Sequence, residues 1–441
     1  MIDALARRAS APTEVGVRLT AIAGAAVAGS AVLAGQWIKA TGGRFGAFFL
    51  PFYAHWHPYA GPLAALAVAV FAAAAALTPS WIRRAPSPAA FAVGLYALAL
   101  ALGVSLNVSR GGVHDLWAVF KTGPGGSLEA YQEYLPGLSA LRHGIPFYVS
   151  HFPGLIPSLP IHVKGNPPGP LVALQLLGID TPQGLAALCI GLGALTAPLA
   201  YELGRTLGGE QRGRIAGALT AFAPSLLLDG VTSADYAFAT FGLGVACLLV
   251  RRRTAPTLAG ALVAAVGSFF SWLLFAIPAW AVLLVWRRDG PQRALALAGV
   301  SALAVIAFYV ALAVTVGYDP IATLKATDAA YRHGISRLRP YAYWVIGSPA
   351  AWWIGLGLPV GWALLRSSAT ADPAALALAG IVVLSAVLGL TKAETERIWL
   401  PFVPLACVAA AAVLPARRLK PVLWMLAAQA LAVQLLFDTV W

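Results

Sequence analysis

The chain is a succession of apolar stretches, each close to the length that crosses a bilayer, with its charge confined to the segments between them. A membrane-spanning helix takes about 20 consecutive apolar residues. Stretches of that kind fall near 17–37, 61–82, 88–108, 183–203, 213–229, 233–250, 256–271, 273–286, 294–315, 343–365, 373–391, 398–415 and 420–438. Roughly thirteen such helices at about 20 residues each leave little chain for anything else. The expected fold is therefore an all-α polytopic membrane protein. Composition agrees: 11% of the residues are charged and 59% hydrophobic, against about 25% charged in a soluble domain. The polar segment 1–16, with Arg7 and Arg8, precedes a run long enough to span rather than a cleavable signal.

The net charge of +13 does not point to nucleic acid, because the basic residues form short clusters between spans rather than one patch. Arg7/Arg8, Arg83/Arg84, Arg205/Arg212/Arg214, Arg251–Arg253, Arg287/Arg288/Arg293, Arg366 and Arg417/Arg418/Lys420 all fall on one face of the expected topology. By the excess of Lys and Arg in cytoplasmic loops, that face is cytoplasmic. The expectation is a multi-pass protein of the plasma (inner) membrane with its N-terminus inside. The opposite, external face collects 38–60, the long loop 109–167, the turn 229–235, the loop 316–342 and 392–397. All seven histidines lie there. A transporter more often places ionisable groups at mid-membrane, and here the spans are almost free of charge. The three cysteines, Cys189, Cys247 and Cys407, sit inside apolar runs without CxxC spacing, so neither a disulfide framework nor a structural zinc site is expected.

Within the long loop, GSLEAYQEYLPGLSALRHG (126–144) reads as an interfacial amphipathic helix. Tyr131, Leu135, Leu138 and Leu141 form its apolar stripe. Glu129 and Glu133, at i and i+4, would share one face, as a solvated surface or as a general base. His151, His162, Lys164 and Asn166 precede a Pro-Pro pair that opens an apolar helix. The turn 229–235 offers Asp229 and Asp235, either as helix caps or as part of a site. The loop 318–344 carries Lys325, Arg332, His333, Arg337 and Arg339 with Tyr331, Tyr341 and Tyr343. Positive charge on the external face runs against the inside bias, and an anionic phosphate held by guanidinium forks would account for it, as would lipid headgroups.

This arrangement resembles the GT-C superfamily of polytopic glycosyltransferases. In that family a motif such as Asp-Glu-x-x-Tyr on the first external loop precedes Leu-x-x-Gly, and a His-Pro-Pro segment follows. Here Glu129 or Glu133 stands near the acidic position, Leu141-Arg142-His143-Gly144 follows, and Asn166-Pro167-Pro168-Gly169 stands at the Pro-Pro segment. Glu396-Arg397-Ile398-Trp399-Leu400-Pro401 is similar to a Glu-Arg-x-x-x-Pro lead into a late span. The sequence departs from the pattern in having no Asp on the interfacial helix, the nearest upstream being Asp115, and in placing two spans before the one that matches the family's first. The resemblance thus divides the chain into a two-span segment, 1–87, and a GT-C-like core, 88–441, with candidate chemistry in the loop 109–167.

The resemblance implies transfer of a sugar from a polyprenyl-phosphate donor to a glycan or lipid acceptor of the outer leaflet or cell envelope, within membrane lipid. Glu129, Glu133 and Asp115 are the candidates for the base. His151, His162, Lys164, Asn166, Asp235, Arg332, Arg337, Arg339, Tyr343, Lys392, Glu396 and Arg397 are the candidates for donor or substrate binding. No metal ligand set is assigned, although Asp115, Asp229 and Asp235 with a histidine leave a divalent ion open. A transporter or flippase of a lipid-linked saccharide is the rival reading. It predicts broken, charged helices at mid-depth and an internal repeat.

Overall fold

A computed structural model describes residues 13–439, so Arg7 and Arg8 lie outside the described residues. The first helices are α1 (Glu14–Ala40), α2 (Ala64–Arg83) and α3 (Pro88–Asn107). After a long loop follow α4 (Ile145–Leu155), α5 (Gly169–Leu177), α6 (Pro182–Gly193), α7 (Thr196–Ala221), α8 (Asp235–Leu249) and α9 (Thr254–Ser268). The remainder comprises α10 (Ala276–Asp289), α11 (Pro291–Val316), α12 (Pro320–His333) and α13 (Tyr341–Gly355). Last come α14 (Leu358–Ala369), α15 (Pro373–Leu388), α16 (Val403–Ala410) and α17 (Leu419–Leu436). Strands are limited, among the described residues, to an antiparallel pair of two-residue strands. It joins β1 (His55–Trp56) to β2 (Phe437–Asp438), with His55 opposite Asp438.

The protein is an all-α, multi-pass membrane protein. Six of its described stretches are long and apolar enough to cross a bilayer, or up to seven if the bent pair α14–α15 is one span. The outward face of α11 shows why water is not its solvent. Leu295, Leu303, Ile306, Val310 and Val314 all project from the bundle, Val314 with 81% of its surface exposed. Not every expected span is continuous. The stretch 343–365 is two helices, because Gly357 takes a positive φ of 93° and Pro359 has no N–H to continue the ladder. At Thr370–Asp372 the chain bends by 107° between α14 and α15, where Asp372 caps α15 by accepting from Ala374 and Ala375 N–H.

Within α7 the backbone leaves helical geometry at Gly208 and Gly209, the latter at φ 84°. The two arms pack against each other so tightly that a Cβ on Gly213 would lie 2.6 Å from the Tyr201 carbonyl oxygen. Only glycine permits that approach. This hairpin forms the middle of the bundle, against α3, α8 and the fully buried α16. The first two helices are woven into the rest, α1 against α13 and α14, and α2 against α3 and α17.

The basic loops collect at one end of the bundle. Arg212 forks onto Asp372 at 3.0 and 3.1 Å, Arg251 meets Glu202, and Arg366 meets Glu14. Asp289 gathers Arg252, Arg288 and Arg293. The loops expected on the other face collect at the other end. There Arg110 donates to the carbonyls of His57, Gln434 and Phe437, tying the first loop to the last strand.

Candidate functional site

At this second end, three side chains from distant segments meet out of contact with solvent. Glu133 is 1% exposed, and its Oε1 lies 2.9 Å from Nδ1 of His162. The Arg397 guanidinium approaches Nε2 of the same imidazole at 3.4 Å. An arginine can only donate, so Nε2 is the nitrogen that carries the lone pair, and Nδ1, the protonated one, faces Glu133 at ion-pair distance. Arg397 also donates to Asp235 at 2.7 Å and to Glu394 at 3.0 Å. Both carboxylate oxygens of Glu133 are buried without a hydrogen-bond partner among the described residues.

Local chain chemistry places each of these groups. Pro136 cannot donate to a preceding carbonyl, so the expected interfacial helix breaks into two 3-10 turns, Glu129–Gln132 and Leu135–Leu141. Between them Glu133 is extended, at φ −80° and ψ −177°. This corrects the expectation that Glu129 and Glu133 share a helix face: Glu133 turns into the protein and Glu129 stays partly exposed. His162 lies on a single turn of helix, Ile161–Lys164. Asn166 then donates to the His162 carbonyl and to the Tyr134 hydroxyl, both at 3.0 Å, which joins this turn to the residue after Glu133. Asp235 opens α8, where Ser233 Oγ donates to its carboxylate. Behind it the π-helical turn Leu226–Gly230, which holds buried Asp229, packs on the turn Thr395–Ile398.

The segment 392–397 is strained. Ala393 and Glu394 both take positive φ, at 65° and 57°, which costs roughly 1–2 kcal/mol per L-residue. The surroundings hold it in place. Ser348 Oγ accepts from Ala393 N–H, Arg339 donates to the Lys392 carbonyl, and Arg339 and Arg397 both grip the Glu394 carboxylate. Burial pushes the Glu394 carboxyl up, but the charges of Arg339 and then Arg397 outweigh it and hold it at about 2. Its neighbour goes the other way. Burial pushes Glu396 up to about 7, against the Tyr53 N–H that it accepts at 2.8 Å.

Glu396 therefore makes stability pH-dependent. Between the ordinary carboxyl value of 4.5 and about 7, the folded protein binds more protons here than the unfolded chain. Its stabilising contribution is present below 4.5 and is lost as pH rises to 7, on the order of 3 kcal/mol in all. Thermal unfolding in detergent between pH 4.5 and 7.5 should show that decline in the wild type and a flatter profile in Glu396→Gln. Parallel profiles would remove Glu396 as the cause.

Of the other residues expected at the site, Arg339 and Lys392 belong to its wall. Arg339 reaches the Gly46 carbonyl, and Lys392 Nζ donates to the Ser336 carbonyl at 2.9 Å. The Arg337 side chain is exposed and makes no hydrogen bond or ion pair among the described residues, and Lys164 is half-buried beside His162. Four expected residues are engaged elsewhere. Asp115 accepts from Gly111 N–H, His151 stacks on Phe147, Arg332 pairs with Asp328, and the Tyr343 hydroxyl donates to the Ala31 carbonyl. Burial raises the Asp115 carboxyl, with the Gly111 bond opposing. Glu394, Tyr134 and Tyr53 are not among the residues expected at the site. Only Glu394 had a signal, its i,i+3 spacing to Arg397. Among the described residues no three His, Cys, Asp or Glu side chains form a group that could hold a metal ion. The donors open to a divalent ion, Asp115, Asp229 and Asp235 with a histidine, do not form one, since Asp235 is taken by Arg397 and Ser233 and Asp115 by Gly111.

No protein-family model matches the sequence, and no curated protein matches it. Among solved structures, the oligosaccharyltransferase of Archaeoglobus fulgidus aligns with 77% of this chain and 53% of its own, at 14% sequence identity and a TM-score of 0.45. The chain thus spans about half the length of that protein. A likeness this loose leaves the reaction to be argued from the site.

Proposed function

We propose that the protein is a GT-C-like membrane glycosyltransferase that moves a sugar from a polyprenyl-phosphate donor to an acceptor hydroxyl at the outer leaflet. The observation that carries this reading is the buried Glu133 carboxylate, which sits at ion-pair distance from His162 while neither of its oxygens has a hydrogen-bond partner among the described residues. Buried acceptors are nearly always satisfied, and an unfilled carboxylate oxygen is what an incoming hydroxyl requires. In the proposed reaction Glu133 takes the acceptor proton as the acceptor oxygen bonds to the anomeric carbon. The bond from that carbon to the donor phosphate oxygen breaks, and polyprenyl phosphate leaves. Arg337, without a side-chain partner among the described residues, and Lys392, whose ammonium has two donors to spare, are assigned to the leaving phosphate.

The test is a vesicle assay in which purified protein is offered polyprenyl-phosphate sugars or nucleotide sugars with candidate acceptors. Transfer from the lipid-phosphate donor alone is expected. Movement of a lipid-linked saccharide across the bilayer without transfer would overturn the reading in favour of a flippase.

Topology is tested separately. The three native cysteines are buried, so an introduced thiol reports without background. Ser139 and Thr254 are both exposed, at opposite ends of the bundle. In intact cells, Ser139→Cys should react with an impermeant maleimide and Thr254→Cys should not. The reverse labelling would put Glu133 on the cytoplasmic side and exclude an outer-leaflet acceptor.

A further inference from the structure

At the arginine-rich end, away from Glu133, a recess of about 750 Å³ opens between α1, α14, the end of α16 and α17. Its mouth is basic. Arg18, Arg366, Arg417 and Arg418 line it, and the one carboxylate among its lining residues is Glu14. Glu14 pairs with Arg18 at 3.2 Å and with Arg366 at 2.9 Å. The side chains of Arg417 and Arg418 are exposed and make no hydrogen bond or ion pair among the described residues. Nε of Arg366 is buried there without a hydrogen-bond partner. Four guanidinium groups against one carboxylate are not needed to close a helical bundle; they leave an excess of positive charge at a membrane surface.

Behind the mouth the walls are apolar, with Leu358, Trp362, Val422 and Met425 among them. Leu358 is 49% and Met425 54% exposed, so the recess opens sideways rather than into a dry core. From Arg366 to Leu358 is about two turns of α14, about 12 Å at 1.5 Å per residue. One leaflet takes about half of the roughly 30 Å hydrocarbon thickness. A basic mouth over an apolar trough one leaflet deep matches a molecule with an anionic head and aliphatic tails.

We propose that this recess is a binding site for an anionic phospholipid of the leaflet at the arginine-rich end. The phosphate sits among Arg366, Arg417 and Arg418, and the acyl chains lie along Leu358, Trp362 and Met425. The site stands apart from Glu133 and does not depend on which reaction occurs there. Basic pockets between membrane helices hold anionic headgroups by this combination of charge and lateral access.

The test uses the full chain in neutral detergent, with its thermal unfolding midpoint followed as dioleoyl-phosphatidylglycerol is titrated in. A ligand that binds only the folded protein raises the midpoint. The wild type should be stabilised by phosphatidylglycerol and not by phosphatidylcholine. In the double variant R417Q/R418Q the half-saturating lipid concentration should rise about 10- to 30-fold, taking roughly 1 kcal/mol per basic residue. Both side chains are exposed, so the variant should fold. R83Q/R84Q, exposed arginines outside the recess, should titrate like the wild type. Equal stabilisation by phosphatidylcholine, or an unchanged titration in R417Q/R418Q, would overturn the proposal. Stabilisation by inorganic phosphate alone to the same extent would also overturn it, by assigning the arginines to a free anion.

Discussion

Glu133→Gln is expected to lower sugar transfer by about 10²–10⁴-fold, the usual cost of removing a general base, while the protein still folds and binds donor. Glutamine keeps the shape and can keep an amide oxygen next to His162 Nδ1, so the imidazole does not face a new donor. What is lost is the capacity to take a proton. Glu129 provides the contrast. It lies in the preceding 3-10 turn and remains partly exposed, so Glu129→Gln should stay within a few-fold of wild type. Retention of more than about a tenth of wild-type turnover by Glu133→Gln would sink the base assignment. A large loss in Glu129→Gln with none in Glu133→Gln would transfer the role. The melting temperature of each variant separates loss of chemistry from loss of fold.

Arg397→Ala should be the most destabilising single change at the site. Arg397 is 4% exposed and its guanidinium serves Asp235, Glu394 and His162 at once. Removing one partner of a buried ion pair leaves the other charge uncompensated, at a cost of about 3–5 kcal/mol. Asp235 would keep only Ser233 among the contacts described above, whereas Glu394 would still hold Arg339. Asp235→Asn together with Arg397→Ala should therefore recover part of the loss. Arg397→Lys should fall between, since a point ammonium cannot span three partners as a planar fork does. The measurement is thermal unfolding in detergent across this set. An Arg397→Ala midpoint equal to wild type would mean that the carboxylates find water or a proton instead.

Much of the large-scale order was legible in the sequence, for a simple electrostatic reason. The clusters around Arg212, Arg252 and Arg366 sort the loops into two sets, and the structure gathers each set at its own end. The meeting of the long first loop with the segment 392–397 was foreshadowed by placing His162 and Arg397 on the same face. The finer geometry was less accessible. Glu129 and Glu133 looked equivalent only on a continuous helix, and Pro136 was the available sign that the helix would not continue. Hydropathy cannot see a break such as Gly357, where an apolar run holds two helices. Nor does local pattern reveal a partner such as Gly46 for Arg339, far away in the chain.

The wide separation of Glu133 and His162 from Arg397 also sets a schedule. His162 and Arg397 are 235 residues apart, and ribosomes add about 5–20 residues per second. For roughly 10–50 s of each synthesis the first loop is complete, and for about 8–30 s of it the start of α8, 162 residues before Arg397, is complete too, while the guanidinium that faces them has not yet been made. During that interval Asp235 and Glu133 must stay in contact with water, so this end of the bundle cannot close until the segment with Arg397 arrives. The site is finished late in synthesis, and a nascent protein halted before Arg397 would leave Asp235 and Glu133 hydrated where the mature one sets them beside a guanidinium.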